Sequence, residues 1–196
     1  MRPMIHAKSK EIVIGGSLLV LAGIGIWAAT HQPKTDLRAE RRLVKTTMDA
    51  AASEIDLNPK DITVEELMAM HLPADLGGRR GSFERYTFRV HGRLESIELK
   101  KDGDFYMVIR GEKGGHTVVE VPDPSICKGS PLEGQIAATR KELEEKYHPT
   151  PEKKTVDETV TVTGVGFYGW GKSGKSGSNG STGARLMPGT GVKFGN

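Results

Sequence analysis

Two overlapping strings in this chain match the phosphate-binding pattern Gly-x-x-x-x-Gly-Lys-Ser, one from Gly166 to Ser173 and one from Gly169 to Ser176. That chemistry needs a helix directly after the Lys-Ser pair, whose first amides hold the phosphates. From Ser173 the chain instead runs SGKSGSNGSTG to Gly183. Glycine and serine at this density lose too much backbone entropy to sustain a helix. The stretch 169–183 is therefore read as a long Gly/Ser-rich loop between the last two strands, and a nucleotide-dependent enzyme is the least favoured function. Trp170, Lys172 and Lys175 on that loop are candidate contacts for an anionic chain, by stacking and by charge. The rival reading is a plain hairpin tip.

A second set of residues could bind. Arg85, Arg89, His91 and Arg93 alternate along one predicted strand, so they share one face of a sheet and form a basic stripe. Such a stripe suits nucleic acid, an acidic envelope polymer or lipid headgroups. Against this, Glu84, Glu95, Glu98 and Glu120 are near enough in the expected sheet to pair with it, and cross-strand ion pairs on solvated sheets are common.

No catalytic constellation emerges. Histidines stand at 6, 31, 71, 91, 116 and 148, without metal-ligand spacing. Asp102 and Asp104 fit turn geometry, and a calcium loop would need more acidic ligands. The single cysteine, Cys127, excludes an internal disulfide and a multi-thiolate metal site; its expected role is a small buried hydrophobe. The expectation is a non-enzyme with no catalytic residue, no bound metal and no cofactor.

The elements that must position these residues can be read from patterning. The chain has 196 residues, a formal charge of +3 and a hydrophobic fraction of 36%. After a short basic head, residues 1–11, the run Ile12 to Thr30 carries no formal charge and is long enough as a helix to cross a bilayer. It is read as an N-terminal transmembrane helix, a signal-anchor, with a cleaved signal peptide as the rival. Positive residues flank it on both sides, Arg2, Lys8 and Lys10 before and Lys34, Arg38, Arg41, Arg42 and Lys45 after. The signal-anchor pattern places the rest of the chain in the periplasm, single-pass at a bacterial inner membrane, although counting positive charge points to the cytoplasm.

Residues 31–80 read as a helical connector. Apolar positions from Asp36 to Asp56 fall loosely at helical spacing, with Arg38, Arg41 and Arg42 expected on a solvated face. Thr63 and Glu66 form a capping-box pattern for a second short helix that Gly77-Gly78 would end. From residue 81 the period changes to two. Tyr86, Phe88, Val90 and Leu94 alternate with polar residues, and the parity then slips so that Ile97 and Leu99 carry it, which predicts a bulge near Glu95 and Ser96. Asp102-Gly103 predicts a turn, followed by strands at Phe105 to Arg110 and His116 to Val121. Ser130, Pro131 and Glu133 predict a helix start, with Leu132, Ile136, Leu143 and Tyr147 on its apolar stripe. Thr159 to Phe167, then Ala184 to Met187 with Val192 to Phe194, complete the set. The order strand, strand, strand, helix, strand, strand predicts a five-stranded OB-like barrel over 81–196, with its helix between strands 3 and 4.

The segments GDFYMVIRG (103–111), VVEVPDPSIC (118–127), QIAATRKELEEKY (135–147), TVTGVGFYGW (161–170) and ARLMPGTGVKF (184–194) resemble a family of small, often exported bacterial proteins with an OB-like domain. The resemblance implies such a barrel and a site on the outer side of the inner membrane. After Phe167 the chain departs from the family, whose members carry a His-Gly-Gln segment and a tail ending in Leu-His-Pro. Here Gly-Trp-Gly-Lys-Ser and Leu186-Met187-Pro188 stand in those places. The function expected is a membrane-anchored binding or scaffolding module of the cell envelope docking on a protein partner, the alternative being single-stranded nucleic-acid or polyanion binding by the barrel.

Overall fold

The structure, a computed structural model, describes residues 36–71, 73, 76–169 and 183–195. The chain divides after Thr35, and all the helices and strands described belong to the unit Asp36–Asn196. It opens with helix α1 (Leu37–Lys45), capped by Asp36, whose carboxylate accepts from the amides of Arg38 and Ala39 at 3.0 and 3.4 Å. A 3-10 turn (Ala52–Glu54) leads into strand β1 (Asp56–Asp61). Helix α2 (Val64–Met68) comes next, with Thr63 and Glu66 closing the capping box in both directions. After a second 3-10 turn (Phe83–Arg85) come β2 (Tyr86–Leu99), β3 (Phe105–Arg110) and β4 (His116–Val121). Helix α3 (Glu133–Tyr147), β5 (Lys154–Tyr168) and β6 (Ala184–Phe194) complete the unit.

The strands form one mixed sheet in the order β1-β2-β3-β4-β6-β5, and β2 also pairs with β5, so five of the six strands close into a ring. The seam between β4 and β6 is parallel, with Val119 opposite Leu186. The bend that lets β2 serve three neighbours lies where the apolar parity slips: its register against both β3 and β5 shifts between Leu94 and Ser96. Gly92 permits close approach there, since a Cβ would stand 2.5 Å from the Arg110 carbonyl oxygen.

Inside the ring, Val90, Leu94, Ile97, Met107, Ile109, Val119, Val162 and Leu186 are buried in one cluster. Helix α3 contributes Ile136, Leu143 and Tyr147 to it, and Arg140 lies over the Phe105 ring at 3.7 Å. Helix α2 contributes Val64 and Leu67, while Glu65 accepts from the amides of Lys113 and Gly115 in the β3–β4 turn at 3.0 and 3.2 Å. Each fully buried aliphatic side chain of this kind contributes about 1.5–3 kcal/mol.

Several expectations are corrected. Among the described residues the fold is a six-stranded mixed sheet with three α-helices, where a five-stranded OB-like barrel behind an N-terminal transmembrane helix is expected from the sequence. Among the described residues no helix is long and apolar enough to cross a membrane, and the run Ile12 to Thr30 lies outside the described residues. The membrane, signal-anchor and single-pass readings rest on that run and find no support among the described residues. The segment read as a helical connector is helical only over Leu37–Lys45 and Val64–Met68; between them β1 joins the sheet parallel to β2. Its sequence, DLNPKD, hides this, because a proline among polar and charged neighbours carries no period-two signal and suits an exposed edge. Helix α2 ends at Met68 rather than at Gly77-Gly78. Helix α3 begins at Glu133, later than Ser130 and Pro131 suggest, because Ser130 Oγ caps a preceding turn by accepting from the Leu132 amide at 3.0 Å.

Candidate functional site

Three of the four residues of the expected basic stripe lie on one strand face, and its arginines are paired with acids. Arg89, His91 and Arg93 alternate with buried Val90, Gly92 and Leu94, so they project from the outer face of β2. Arg85 belongs to the 3-10 turn that precedes the strand. Each arginine meets an acid from another element. Arg85 pairs with Glu54, Arg89 Nη1 donates to Asp61 Oδ1 at 3.1 Å, and Arg93 Nε donates to Asp157 Oδ1 at 2.7 Å.

These partners replace the expected ones. Glu84 is buried against Arg41, Glu95 pairs with Arg110 and His116, Glu98 with Lys100, and Glu120 with Lys45. Arg41 itself, expected on a solvated helix face, is buried. The acids that do meet the stripe have local causes. Asp157 sits in β5 with φ 58°, where β5 and β2 shift register, and that left-handed kink aims its carboxylate at Arg93. The hydrogen bond from Arg93 holds the Asp157 carboxyl below its ordinary range. Asp61 is set by the parallel pairing of β1, in which it lies opposite Arg89.

Between β1, α2 and β2 lies an open groove of about 470 Å³, lined by Asp61, Ile62, Thr63, Glu66, Arg89, His91 and Thr161. Thr161 comes from β5, directly across from His91, and its hydroxyl lies 3.2 Å from His91 Nδ1. Hydrogen bonds from the Thr63 amide and hydroxyl hold the Glu66 carboxyl below its ordinary range, so it stands in the groove as an anion. Two residues of the expected stripe, Arg89 and His91, are thus brought together with two carboxylates and two threonines around one apolar side chain. Arg93 lies farther along β2 with its own acid, and Arg85 lies at the start of the strand with Glu54. Asp61, Ile62 and Thr161 were invisible in the sequence, and the Thr63/Glu66 pattern signalled a helix start without signalling a groove wall.

Trp170, Lys172 and Lys175 lie outside the described residues. The first phosphate-loop string opens on Gly166, Phe167 and Tyr168, which are the last residues of β5 and pair antiparallel with β6. Gly166 is packed against Phe83, 2.7 Å from where a Cβ would stand, which leaves no cradle at that end. Among the described residues no group of three acidic, histidine or cysteine side chains is arranged to hold a metal. Cys127 is fully buried, and burial with nearby Asp104 and Asp123 pushes its thiol up to about 11.

No family model matches the chain, and no curated protein does. Among solved structures, the chain is similar to Entamoeba histolytica asparaginyl-tRNA synthetase in complex with asparaginyl-adenylate, at 12% identity and a TM-score of 0.40. That alignment takes in 71% of this chain and 24% of the synthetase chain, so this chain spans about a quarter of that enzyme. At that score the likeness carries neither fold nor activity across.

Proposed function

We propose that this domain is a non-enzymatic binding module that docks on a protein partner through the groove between β1, α2 and the outer face of β2. The observation that carries this reading is the charge balance of the groove: Arg89 stands beside Asp61, with Glu66, Thr63, His91 and Thr161 around Ile62. A polypeptide with mixed charges and hydrogen-bonding side chains is complementary to such a surface. A polyanion is less so, because it would have to displace Asp61 and Asp157 from their arginines while facing the Glu66 carboxylate. The family resemblance, which implies an exported protein, would make the partner a component of the cell envelope.

The test uses the full chain with a photo-crosslinking residue at Thr161 and, as a control, at exposed Lys141 on α3. The expected result is a discrete adduct of one partner mass from position 161 only, lost on Arg89→Glu. No groove-specific adduct would remove the proposal. Fluorescence anisotropy with single-stranded oligonucleotide supplies the other arm: affinity that falls steeply with salt and with Arg89→Ala would favour the polyanion reading instead.

A further inference from the structure

The groove on β2 is unevenly charged once its internal pair is subtracted. Its lining holds two carboxylates, Asp61 and Glu66, and one arginine, Arg89. Arg89 meets Asp61 at 3.1 Å, so those two charges cancel. Glu66, by contrast, hydrogen-bonds among the described residues only to Thr63, which is neutral. Lys113 in the β3–β4 turn is near enough to help lower the Glu66 carboxyl, but it forms no ion pair with it. The groove thus keeps one unpaired negative charge in a chain whose formal total is +3.

That charge is held in one position. Glu66 Oε2 accepts from both the Thr63 amide and the Thr63 hydroxyl at 2.9 Å, and the Thr63 hydroxyl accepts from the Glu66 amide at 3.1 Å. These bonds fix the carboxylate and use one of its oxygens. Among the described residues, Glu66 Oε1 and Asp61 Oδ2 accept no hydrogen bond, so both have capacity for a donor from outside the chain. In sequence, half-buried Ile62 separates Asp61 from Thr63, and its amide donates to the Arg89 carbonyl at 3.0 Å, which ties this wall to β2. Opposite, His91 and Thr161 engage each other at 3.2 Å and add no second anion. An acidic side chain entering here would face an unpaired carboxylate. A purely apolar one would cover two carboxylate oxygens and give them no donor, which is costly. A side chain with an aliphatic stem and a cationic head satisfies both the wall and the oxygens.

We infer that the residue by which the docking partner anchors in this groove is basic, an arginine or lysine whose stem lies along Ile62 and whose charged head meets Glu66 Oε1 and Asp61 Oδ2. The inference rests on the docking reading above and adds to it the sign of the anchoring charge. It gives the Thr63/Glu66 pair a second role beside capping α2: Glu66 selects the partner, and Thr63 positions it. Arg89 does not oppose the incoming cation, because Asp61 neutralises it. Selection works by exclusion as much as by attraction, since an acidic anchor is repelled by the same carboxylate that binds a basic one.

The experiment titrates isotope-labelled full-length chain with blocked peptides, acetyl-Gly-Gly-X-Gly-Gly-amide, and follows the amide signals by NMR. X is arginine, lysine, glutamate or citrulline, the last keeping the shape of arginine without its charge. The arginine and lysine peptides are expected to shift the Ile62, Glu66 and Thr161 amides and to bind about threefold to fivefold more tightly than the citrulline peptide, the advantage of an exposed charge pair. The tighter of the two names the side chain. Glu66→Gln keeps the capping box, because glutamine serves at that position as glutamate does, and is expected to erase the advantage. Glu145→Gln removes the same charge from exposed α3 and is expected to leave it intact. Citrulline or glutamate peptides that bind as tightly as arginine overturn the inference, as does the absence of groove shifts with either basic peptide at on the order of 10 mM. These comparisons on the wild type remain decisive if Glu66→Gln does not fold. An equal loss from Glu145→Gln overturns it too, as non-specific attraction. Crosslinking from position 161 separates this inference from the reading beneath it. An adduct that forms equally well with Glu66→Gln, beside peptides without preference, removes the basic anchor and leaves the docking surface; no adduct from that position removes both.

Discussion

At Cys127 the sulfur is sealed from solvent and the thiol is pushed up to about 11, so almost none of it is thiolate at neutral pH. The thiolate is the reactive form. Alkylation by iodoacetamide at about pH 8 is therefore expected to leave the native chain unmodified and to proceed to completion once denaturant is added, as read by intact mass. Asp157 makes the opposite case. It is exposed, yet the Arg93 guanidinium keeps its carboxyl below the ordinary 3.8. Its depressed folded value means that its share of stability is present above the unfolded value and is lost as pH falls through the folded one. A carboxyl-carbon NMR titration is expected to place its midpoint below that ordinary value and to bring it back up in Arg93→Gln. The three stripe arginines with their acids are exposed pairs of this kind, so their weight is in setting local charge and not in holding the fold.

At the scale of elements, α1 and the sheet are joined by a charge pair of a different class. Glu84 is fully buried, and it accepts from Arg41 twice, from the Gly81 amide at 2.7 Å and from the Tyr168 amide at 2.9 Å. Four donors satisfy a carboxylate that burial would otherwise make very costly. Replacing it with glutamine leaves the Arg41 guanidinium desolvated without an anion. Glu84→Gln is expected to destabilise the domain by about 3–5 kcal/mol, measured as a shift in the urea midpoint with an unchanged slope. The same helix shows why sequence patterning misjudged its faces. Arg41 lies among Arg38 and Arg42 in a run that reads as solvent-facing, but its position one turn before Lys45 puts it on the side that Val44 buries.

For the whole molecule, the formal charge of +3 hides the distribution that matters. Lys45 gathers Asp102, Asp104 and Glu120 around one ammonium, and Arg185 adds a second cation 3.5 Å from Glu120. Burial alone would push the Lys45 pKa down, but attraction to Glu120 and Asp104 more than offsets it, and the net direction is up. A folded value above the unfolded 10.5 means that this stabilisation is complete below about 10.5 and fades as pH rises beyond it. The difference in urea midpoint between wild type and Lys45→Met is thus expected to hold constant through neutral and mildly alkaline pH and to shrink only above that value.

Features written in nearest neighbours are legible in the residues alone: the period-two strands of the second half, the Asp102-Gly103 turn, the parity slip at Glu95 and the run with Ile136, Leu143 and Tyr147 that forms α3. Which acid neutralises which arginine emerges only in the folded chain. Glu54, Asp61 and Asp157 lie 31, 28 and 64 residues from Arg85, Arg89 and Arg93. Tertiary packing also decides that DLNPKD is a strand and that Arg41 is inside. A side chain's direction follows from local backbone period, whereas its partner depends on how distant elements pack and, in the sheet, on a strand register whose shift by one residue turns every carboxylate to the other face.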